Sequence, residues 1–280
     1  MKKKESNDTG MGLVLGLSLG HGIKHFGQGA ISVIGPLLKV SLNLSDVAYG
    51  AIFSASNVAS GLANIPAGIL SDMYRKKIAW FLALSMLSIA IGYFLLGTIK
   101  TYPIIILAVV LMGFGQSFWH APAFGTLAAR YPNKKGFAIS MHLTGAQIGN
   151  TIGPLIVGGL ISGIVIRSII SFEGFGWEKV SVFMAVPMII TGLLVLVLFK
   201  SAGSEAKGNW SFDEYKTRSK GILKDKIILG LILLGSVRAS AHTSFLLFLA
   251  VYLKEVLNYS AFVIGFHIAL ITAAGIISTP

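Results

Sequence analysis

Residues 68–98 read GILSDMYRKKIAWFLALSMLSIAIGYFLLGT, a short polar and basic stretch followed by a long apolar one. No charged side chain interrupts the sequence between Lys77 and Lys100. A helix needs about 20 apolar residues to cross the hydrocarbon core of a bilayer. Because backbone groups in lipid must form their hydrogen bonds within the segment, this stretch predicts a transmembrane helix.

Similar apolar stretches recur along the whole chain of 280 residues. Charged residues make up 12% of the sequence, about half the share found in a soluble domain. The sequence therefore predicts an all-α, polytopic membrane protein whose first helix is retained rather than cleaved as a signal peptide. The absence of cysteine excludes disulfides and thiolate metal sites. The eight predicted spans cover residues 12–38, 47–69, 78–98, 103–128, 136–166, 180–199, 227–253 and 261–280.

The longest polar segment, residues 200–226, lies between the sixth and seventh predicted spans and contains seven basic residues. It divides the chain into three predicted parts. Residues 1–199 form an N-terminal six-helix transmembrane bundle, and residues 200–226 form a basic cytoplasmic linker. Residues 227–280 form the start of a C-terminal bundle with two helices.

The distribution of basic residues predicts the orientation of the chain. With the N-terminus in the cytoplasm, sixteen Lys and Arg residues fall on the inner side and five on the outer side. Cytoplasmic loops carry such an excess. We therefore expect a multi-pass protein of the cell (inner) membrane with a cytoplasmic N-terminus. The net charge of +12 comes from these short loops, so no nucleic-acid partner is predicted.

A short sequence repeat follows the first and seventh predicted spans. Residues 38–45 read LKVSLNLS and residues 253–260 read LKEVLNYS, with identity at five of eight positions. Six spans separate the two copies, so both lie on the same side of the membrane. The repeat predicts two six-helix halves related by an axis along the membrane normal, which is a known transporter design.

The loop after the second predicted span resembles a family motif. Residues 68–77, GILSDMYRKK, are similar to the G-x-L-x-D-x-x-G-R-K loop of the major facilitator superfamily. Arg75 stands where the family has its second glycine. The resemblance implies that Gly68, Asp72, Arg75 and Lys76 belong to a conformational loop between helices two and three. On chemistry alone, Asp72 is expected to cap a helix or to pair with a neighbouring cation.

A second resemblance lies in the fifth predicted span. Residues 145–159, GAQIGNTIGPLIVGG, resemble the G-x-x-x-G-P-x-x-G-G motif of exporters in this superfamily. Gly145, Gly149 and Gly153 recur every fourth residue beside Pro154 and therefore line one helix face. The resemblance favours proton-coupled efflux by an antiporter. Close helix packing without any implied direction of transport explains the same pattern equally well.

Residues 120–123 in the fourth predicted span read HAPA. They resemble the histidine–proline stretch found in the same helix of the fosmidomycin-resistance-like branch of the superfamily. Members of the superfamily usually have twelve helices, so the resemblance implies a chain truncated at its C-terminus, within the eighth helix. It also implies a secondary active transporter that works by alternating access. In that fold, helices one and seven face each other across a central cavity.

Basic side chains inside the predicted spans are candidate functional residues, because a charge in lipid is costly. Lys24 and Arg238 lie at similar depths in the first and seventh spans. Snorkelling is the alternative for Lys24, and pairing with helix carbonyls or water is the alternative for Arg238. Each histidine is as well explained by a bond to a neighbouring helix. The candidate substrate-binding residues are Lys24, Arg238, His21, His25, His242 and His120.

The carboxylates show the opposite distribution. All eleven lie in a terminus, in a loop or at the boundary of a predicted span. Lys24 and Arg238 therefore have no predicted acidic partner in the membrane, and a buried cation without one attracts an anion. We expect a small, anionic organic substrate. Any coupled protons are then carried by histidine.

Other classes of membrane protein need features that the sequence lacks. A membrane enzyme would need a nucleophile with a base or a metal-ligand cluster, and His21 and His25 lack a His-Glu-x-x-His pattern. No enzyme, cofactor or metal is therefore predicted. A channel would need a repeated pore segment with a filter. A non-transporting scaffold or receptor remains the alternative. We expect a monomer whose partners are the lipid bilayer and a small-molecule substrate.

The predicted orientation can be tested by cysteine labelling, because the chain has no native cysteine. A cysteine at Lys77 should react with a membrane-impermeant maleimide only after the cells are opened, since Lys77 is predicted to be cytoplasmic. A cysteine at Lys100, on the predicted outer side, should react in intact cells and serves as the control. Labelling of Lys77→Cys in intact cells would refute the orientation.

Overall fold

The computed structural model describes residues 11–166, 170–203, 212–222 and 224–278. Within these residues, eight long helices, one short helix and a two-stranded hairpin follow each other along the chain. The helices are α1 (Met11–Ser41), α2 (Asp46–Met73), α3 (Ile78–Thr98), α4 (Tyr102–Arg130), α5 (Lys135–Ser162), α6 (Trp177–Leu198), α7 (Phe212–Ile222), α8 (Lys226–Glu255) and α9 (Ala261–Ser278). Arg75–Lys77 form a 3-10 turn, and the hairpin pairs β1 (Ile164–Ile166) with β2 (Ile170–Phe172) in antiparallel register.

The all-α polytopic fold predicted from the sequence is confirmed. Four helical segments in the described part of the chain are long and apolar enough to cross a membrane: 75–98, 102–130, 177–198 and 226–255. Helices α1, α2 and α5 are also long, with 31, 28 and 28 residues, but glycine and polar side chains lower their hydropathy. Several of these polar side chains form the candidate site described below.

One predicted boundary is wrong. The fifth span was expected to reach residue 166, but α5 ends at Ser162. Gly163 has φ +76°, a left-handed conformation that stops the helix, and the β-branched residues after it form β1. Within the predicted linker, helix α7 occupies Phe212–Ile222. Residues 204–211 and 223 of the predicted linker, the N-terminal lysines and residues 279–280 lie outside the described residues.

Helix α7 has charges that suit a short helix. Asp213 and Glu214 lie in its first turn and Lys220 lies in its last turn. Acidic side chains near the N-terminus and basic side chains near the C-terminus both interact favourably with the helix dipole. The many charges of the linker were read as loop chemistry in the sequence, although their order along the chain is that of a helix.

The closest helix contact that matters for the candidate site joins α1 and α5. A Cβ atom added at Gly145, Gly149 or Gly153 would lie 2.2, 2.0 or 2.4 Å from a backbone oxygen of α1. Those oxygens belong to Ser18, Gly22 and Phe26, one helical turn apart. The glycine stripe is therefore a close-packing surface, as the sequence indicates.

Pro154 lies where α5 meets both α1 and α9. A Cβ at Gly29 of α1 would lie 2.7 Å from the Pro154 ring, and a Cβ at Gly265 of α9 would lie 2.1 Å from its carbonyl oxygen. Farther along the same contact, the hydroxyls of Thr151 and Thr272 lie 3.3 Å apart. Helix α5 is thus packed between the first helix and the last described helix.

The repeated octapeptides share one unusual backbone conformation, at the same position in each copy. Asn43 and Asn258, at equivalent positions, have φ angles of +48° and +53°. Among the described residues they are the two non-glycine residues with positive φ. Asparagine tolerates this region better than most residues. Lys39 Nζ lies 2.5 Å from Glu255 Oε1 and 3.1 Å from Asp46 Oδ1, so both turns lie at one end of the molecule.

The predicted conformational loop covers the end of α2 and the turn before α3: Gly68 and Asp72 lie in the last turns of α2, and Arg75 and Lys76 lie in the 3-10 turn. Arg75 Nη2 lies 3.5 Å from Asp72 Oδ1, the pairing expected on chemical grounds. Ser71 Oγ donates a hydrogen bond of 2.9 Å to the carbonyl oxygen of Gly68 within the last turns of α2. Arg75, in place of the family glycine, begins the 3-10 turn, and so this loop turns without a left-handed residue.

Replacing Gly149 by alanine should destabilise the protein by about 1–3 kcal/mol, because the added methyl group would overlap the Gly22 carbonyl oxygen. The measurement is thermal unfolding in detergent. Gly136→Ala is the matched control, since Gly136 lies in the same helix with no atom within 4 Å of the added Cβ. It should be neutral or stabilising by up to about 1 kcal/mol. Equal melting temperatures for both variants would contradict the close packing.

Candidate functional site

Helices α1, α4 and α5 bring five basic side chains together inside the bundle. We call them the basic cluster: His21, Lys24, His25, His120 and His142. The three residues from α1 share one helix face, as their spacing predicts. The glycine contact between α1 and α5 allows His142 to reach this face, whereas α4 contributes His120.

Lys24 is fully buried, with 0% of its surface exposed. Its ammonium Nζ lies 2.8 Å from Nε2 of His120 and 3.4 Å from the carbonyl oxygen of Gln116. An ammonium group has no acceptor capacity, so it donates to both. Both partners of the Lys24 ammonium are neutral groups of α4. The side chain therefore does not extend to the membrane surface, which was the alternative considered for it. His120 is half-buried, and its ring is parallel to that of Phe124.

His21 and His25 form a second part of the basic cluster. Their Nε2 atoms lie 3.1 Å apart. The Nδ1 atom of His21 donates to the backbone carbonyl oxygen of His142 at 2.9 Å, and Nδ1 of His25 lies 3.2 Å from Oδ1 of Asn150. Contacts at both nitrogens therefore hold the orientation of each imidazole ring.

Aromatic contacts enclose this pair. The imidazole of His142 stacks on that of His21 with a centroid distance of 3.9 Å and an angle of 6°. Trp119 is fully buried, its ring is parallel to that of His21 at 6.4 Å, and its edge packs against Gly20. A Cβ at Gly20 would lie 2.4 Å from the indole, so only glycine admits Trp119 here.

Acidic side chains are remote from the basic cluster. In the described helices, every carboxylate lies in a first or last turn, as with Asp46, Asp72, Glu178 and Glu255. The ion pairs of Lys39, Arg75 and Lys100 are accordingly found at helix ends. The basic cluster is therefore a region of positive potential without acidic compensation among the described residues, and such a region attracts anions.

A metal ion fits this site poorly. One nitrogen each from His21, His25 and His120 lies within 4.8 Å of the others, a spacing that a metal ion could bridge. However, the Lys24 ammonium already donates to Nε2 of His120 and would repel a dication. We therefore assign no metal to these residues.

Arg238 and His242 are not brought to the basic cluster in this structure. Both are exposed on α8, near the middle of that helix. The contacts of α8 with α1 and α2 described here lie nearer its C-terminal end. Phe248 packs against Tyr49 with a centroid distance of 6.2 Å, and Glu255 pairs with Lys39.

Two members of the site were missing from the predicted residues: His142 and Asn150. The signal was present in the sequence, because His142 and Asn150 flank the glycine stripe at helical spacing. Because the glycines of α5 pack closely on α1, the residues beside them on α5 also lie next to α1.

The family model described as "Major Facilitator Superfamily" matches residues 17–280 of the chain. The chain belongs to the Major Facilitator Superfamily. The resemblance carried by residues 68–77 and 145–159 is thereby confirmed at the level of the family. The chain therefore has several apolar helices and the multi-pass membrane fold of this family.

Two characterised relatives are similar over part of the chain. The fosmidomycin resistance protein of Escherichia coli (strain K12) is 27% identical over 154 residues, which is 55% of this chain and 37% of the relative. The hexuronate transporter of Bacillus subtilis (strain 168) is 27% identical over 187 residues, which is 67% of this chain and 40% of the relative. The similarity therefore spans less than half the length of either relative.

A solved structure of a superfamily transporter has the same fold. It is a bacterial homologue of the human lysosomal transporter Spinster, in an inward-facing and unoccupied conformation. The TM-score is 0.74 at 17% sequence identity, over 97% of this chain and 60% of that chain. At this identity the likeness establishes the fold alone.

The contact between Lys24 and His120 can be tested by stability. His120→Ala should destabilise the protein by about 1–3 kcal/mol, because the buried ammonium loses its closer acceptor. The double variant Lys24→Met/His120→Leu should be more stable than His120→Ala, since no unpaired cation remains. His267→Ala is the control, because the half-buried His267 bonds to Val263 of its own helix. Thermal unfolding in detergent provides the comparison, and equal losses for His120→Ala and His267→Ala would contradict the assignment.

Proposed function

We propose that the protein moves a small organic anion across the membrane by alternating access and that this movement is coupled to protons. The observation that carries the proposal is the basic cluster. It contains the fully buried Lys24 near the middle of α1. Every carboxylate of the described helices lies instead in the first or last turns of its helix. A cationic substrate would be repelled there by about 4 kcal/mol per charge pair at 4 Å and an effective dielectric of 20.

The burial of each side chain suggests how an anion would be bound. His25 and His120 are half-buried, so a substrate would contact them first. Lys24 lies directly behind His120 and would supply the charge through the hydrogen bond of 2.8 Å. His21, which is buried beneath His142, would orient His25. His120 would accept a hydrogen bond from the Lys24 ammonium and donate one to the carboxylate of the substrate. The ammonium would polarise the imidazole and so strengthen its hydrogen bond to the substrate.

Arg238 and His242 would supply the second side of the site. They lie near the middle of α8, as Lys24 does in α1, and the repeated turns after both helices support equivalent positions in two halves. A guanidinium can bind a carboxylate in a bidentate manner. In alternating access the two halves rock about the substrate, so Arg238 would approach the basic cluster as the site closes.

The names of the relatives agree with this substrate class. One relative is named a hexuronate transporter, and a hexuronate carries a carboxylate. The other is named a resistance protein, which is a role that export can provide. The exporter-like glycine stripe no longer favours efflux by itself, because its packing on α1 and α9 accounts for its residues. A monomer in the inner membrane with a cytoplasmic N-terminus completes the proposal.

Substitution of the buried cation tests the sign of the substrate. In the protein of full natural length, Lys24→Gln and Arg238→Gln should each lower the uptake or export of organic anions at least about tenfold, because each removes a charge–charge contact. Lys24→Arg should retain more activity than Lys24→Gln. Flux of a panel of anionic and cationic compounds in proteoliposomes provides the measurement.

Lys179→Gln is the matched control, since Lys179 is an exposed cation at the start of α6. Unchanged transport of every anion by Lys24→Gln, or a selective loss of cation transport, would refute the anionic substrate. If the unaltered protein binds an anion without any flux, the alternative of a non-transporting receptor or scaffold would be supported instead.

A further inference from the structure

The hydrogen bonds of His21 and His25, with the Asn150 amide oriented as it is in this structure, assign protons to both rings. The backbone carbonyl oxygen of His142 has no proton to give, so Nδ1 of His21 carries a proton and donates it at 2.9 Å. Asn150 turns its Oδ1 oxygen toward His25 at 3.2 Å, and this oxygen also accepts. Nδ1 of His25 therefore carries a proton as well.

These two assignments have a consequence for the opposite nitrogens. A neutral imidazole protonated at Nδ1 has a lone pair at Nε2. If both rings were neutral while the Asn150 amide keeps this orientation, two lone pairs would face each other across the 3.1 Å between the Nε2 atoms of His21 and His25. Two acceptors at this distance repel. The contact is an ordinary hydrogen bond when one further proton lies between the rings.

We propose that the His21–His25 pair is the proton site of this transporter and that it binds one proton between its Nε2 atoms. The inference rests on the proposed function, because it assigns the coupled proton to particular atoms. In the charged state, three protons occupy the four ring nitrogens, and His25 is an imidazolium that donates to Asn150 and to His21.

Release of the proton requires a rearrangement at Asn150. The N–H bond at Nδ1 of His25 breaks, and the proton passes to water at the half-buried side of that ring. The charge of the pair falls from +1 to 0. His25 keeps its proton at Nε2, and its bare Nδ1 now needs a donor. Rotation of the Asn150 amide by about 180° presents its NH₂ group to this nitrogen.

The groups that face this pair are basic or neutral. Lys24 is adjacent on α1, His120 faces His25 from α4 with a ring distance of 6.1 Å, and His142 stacks on His21 from α5. The helices α6, α8 and α9 also pack on α1. Their described titratable groups are placed elsewhere. On α6, Glu178 and Lys179 lie in the first turn, and on α9, His267 bonds to its own helix. On α8, Arg238 and His242 are exposed, and the others lie at the two ends of the helix: Lys226, Tyr252, Lys254 and Glu255.

This electrostatic setting determines the sign of coupling. The positive charge of Lys24 disfavours the binding of a proton to the His21–His25 pair. An anion bound at His120 would favour the binding of that proton. Each ligand should therefore tighten the binding of the other by about 10- to 100-fold at a separation of about 6 Å. A proton and an anion that bind together are carried together. The charges thus point to cotransport rather than to the antiport expected from the sequence.

The first test needs no substrate. Nuclear magnetic resonance of the protein labelled with ¹⁵N-histidine should show three N–H protons on the His21–His25 pair at low pH and two at high pH, within the range of about pH 5 to 9. The lost proton should be the one on Nδ1 of His25. Two N–H protons throughout this range would overturn the proposal.

The second test measures protons taken up when an organic anion binds to the purified protein of full natural length. The unaltered protein should take up about half a proton per anion at the midpoint of the first titration, because half of the pairs already hold the proton there. His25→Gln should abolish this uptake. Asn150→Asp should hold the imidazolium as an ion pair, so the pair stays charged in the resonance experiment and anion-linked uptake is lost. His267→Gln is the matched control and should behave as the unaltered protein.

The outcomes separate this inference from the proposed function. If no anion binds, the anionic substrate is refuted, and the resonance experiment alone decides the proton site. If anions bind and proton uptake persists unchanged in His25→Gln, the proton site is refuted and the anionic substrate stands. Proton release instead of uptake would overturn the predicted sign of coupling.

Discussion

The close approach of α1 and α5 is the constraint on which the candidate site depends. Three glycines of α5 bring the backbones so near that a single methyl group at Gly149 would overlap a carbonyl oxygen of α1. In the membrane this contact cannot be replaced by hydrophobic burial, since lipid is as apolar as the side chains, and packing therefore has to hold the helices together. The same contact sets His142 on His21 and Asn150 on His25.

A buried ammonium gives the site its electrostatic character. Lys24 bonds to a neutral imidazole and a carbonyl oxygen, so its charge is solvated by the protein but is not neutralised. Such a charge is costly to maintain in a low dielectric, and residues of this kind in membranes mark substrate or proton pathways. An anion and a proton have opposite effects on this charge. The basic cluster can therefore link the binding of the two without any acidic side chain.

Much of the fold was predictable because periodicity and charge determine where helices cross a membrane. The predicted spans and helices α1 to α4 differ by a few residues at their ends, and Asp72 pairs with Arg75 as expected. Helix α7 was missed because its charges resemble those of a loop. The partner of Lys24 was missed because the sequence does not reveal which face of α4 meets α1, whereas Asn150, the partner of His25, was missed although it flanks the glycine stripe of α5. Whether Arg238 joins them stays a prediction, since α8 presents it exposed here.

The most direct measurement is an experimental structure of the protein of full natural length with a bromine-labelled organic anion bound. Our account predicts anomalous density beside His120 and His25, with the carboxylate of the anion within hydrogen-bond distance of one of these rings or of Lys24. Density elsewhere in the cavity, with the contact between Lys24 and His120 unchanged and no anion near the basic cluster, would contradict it.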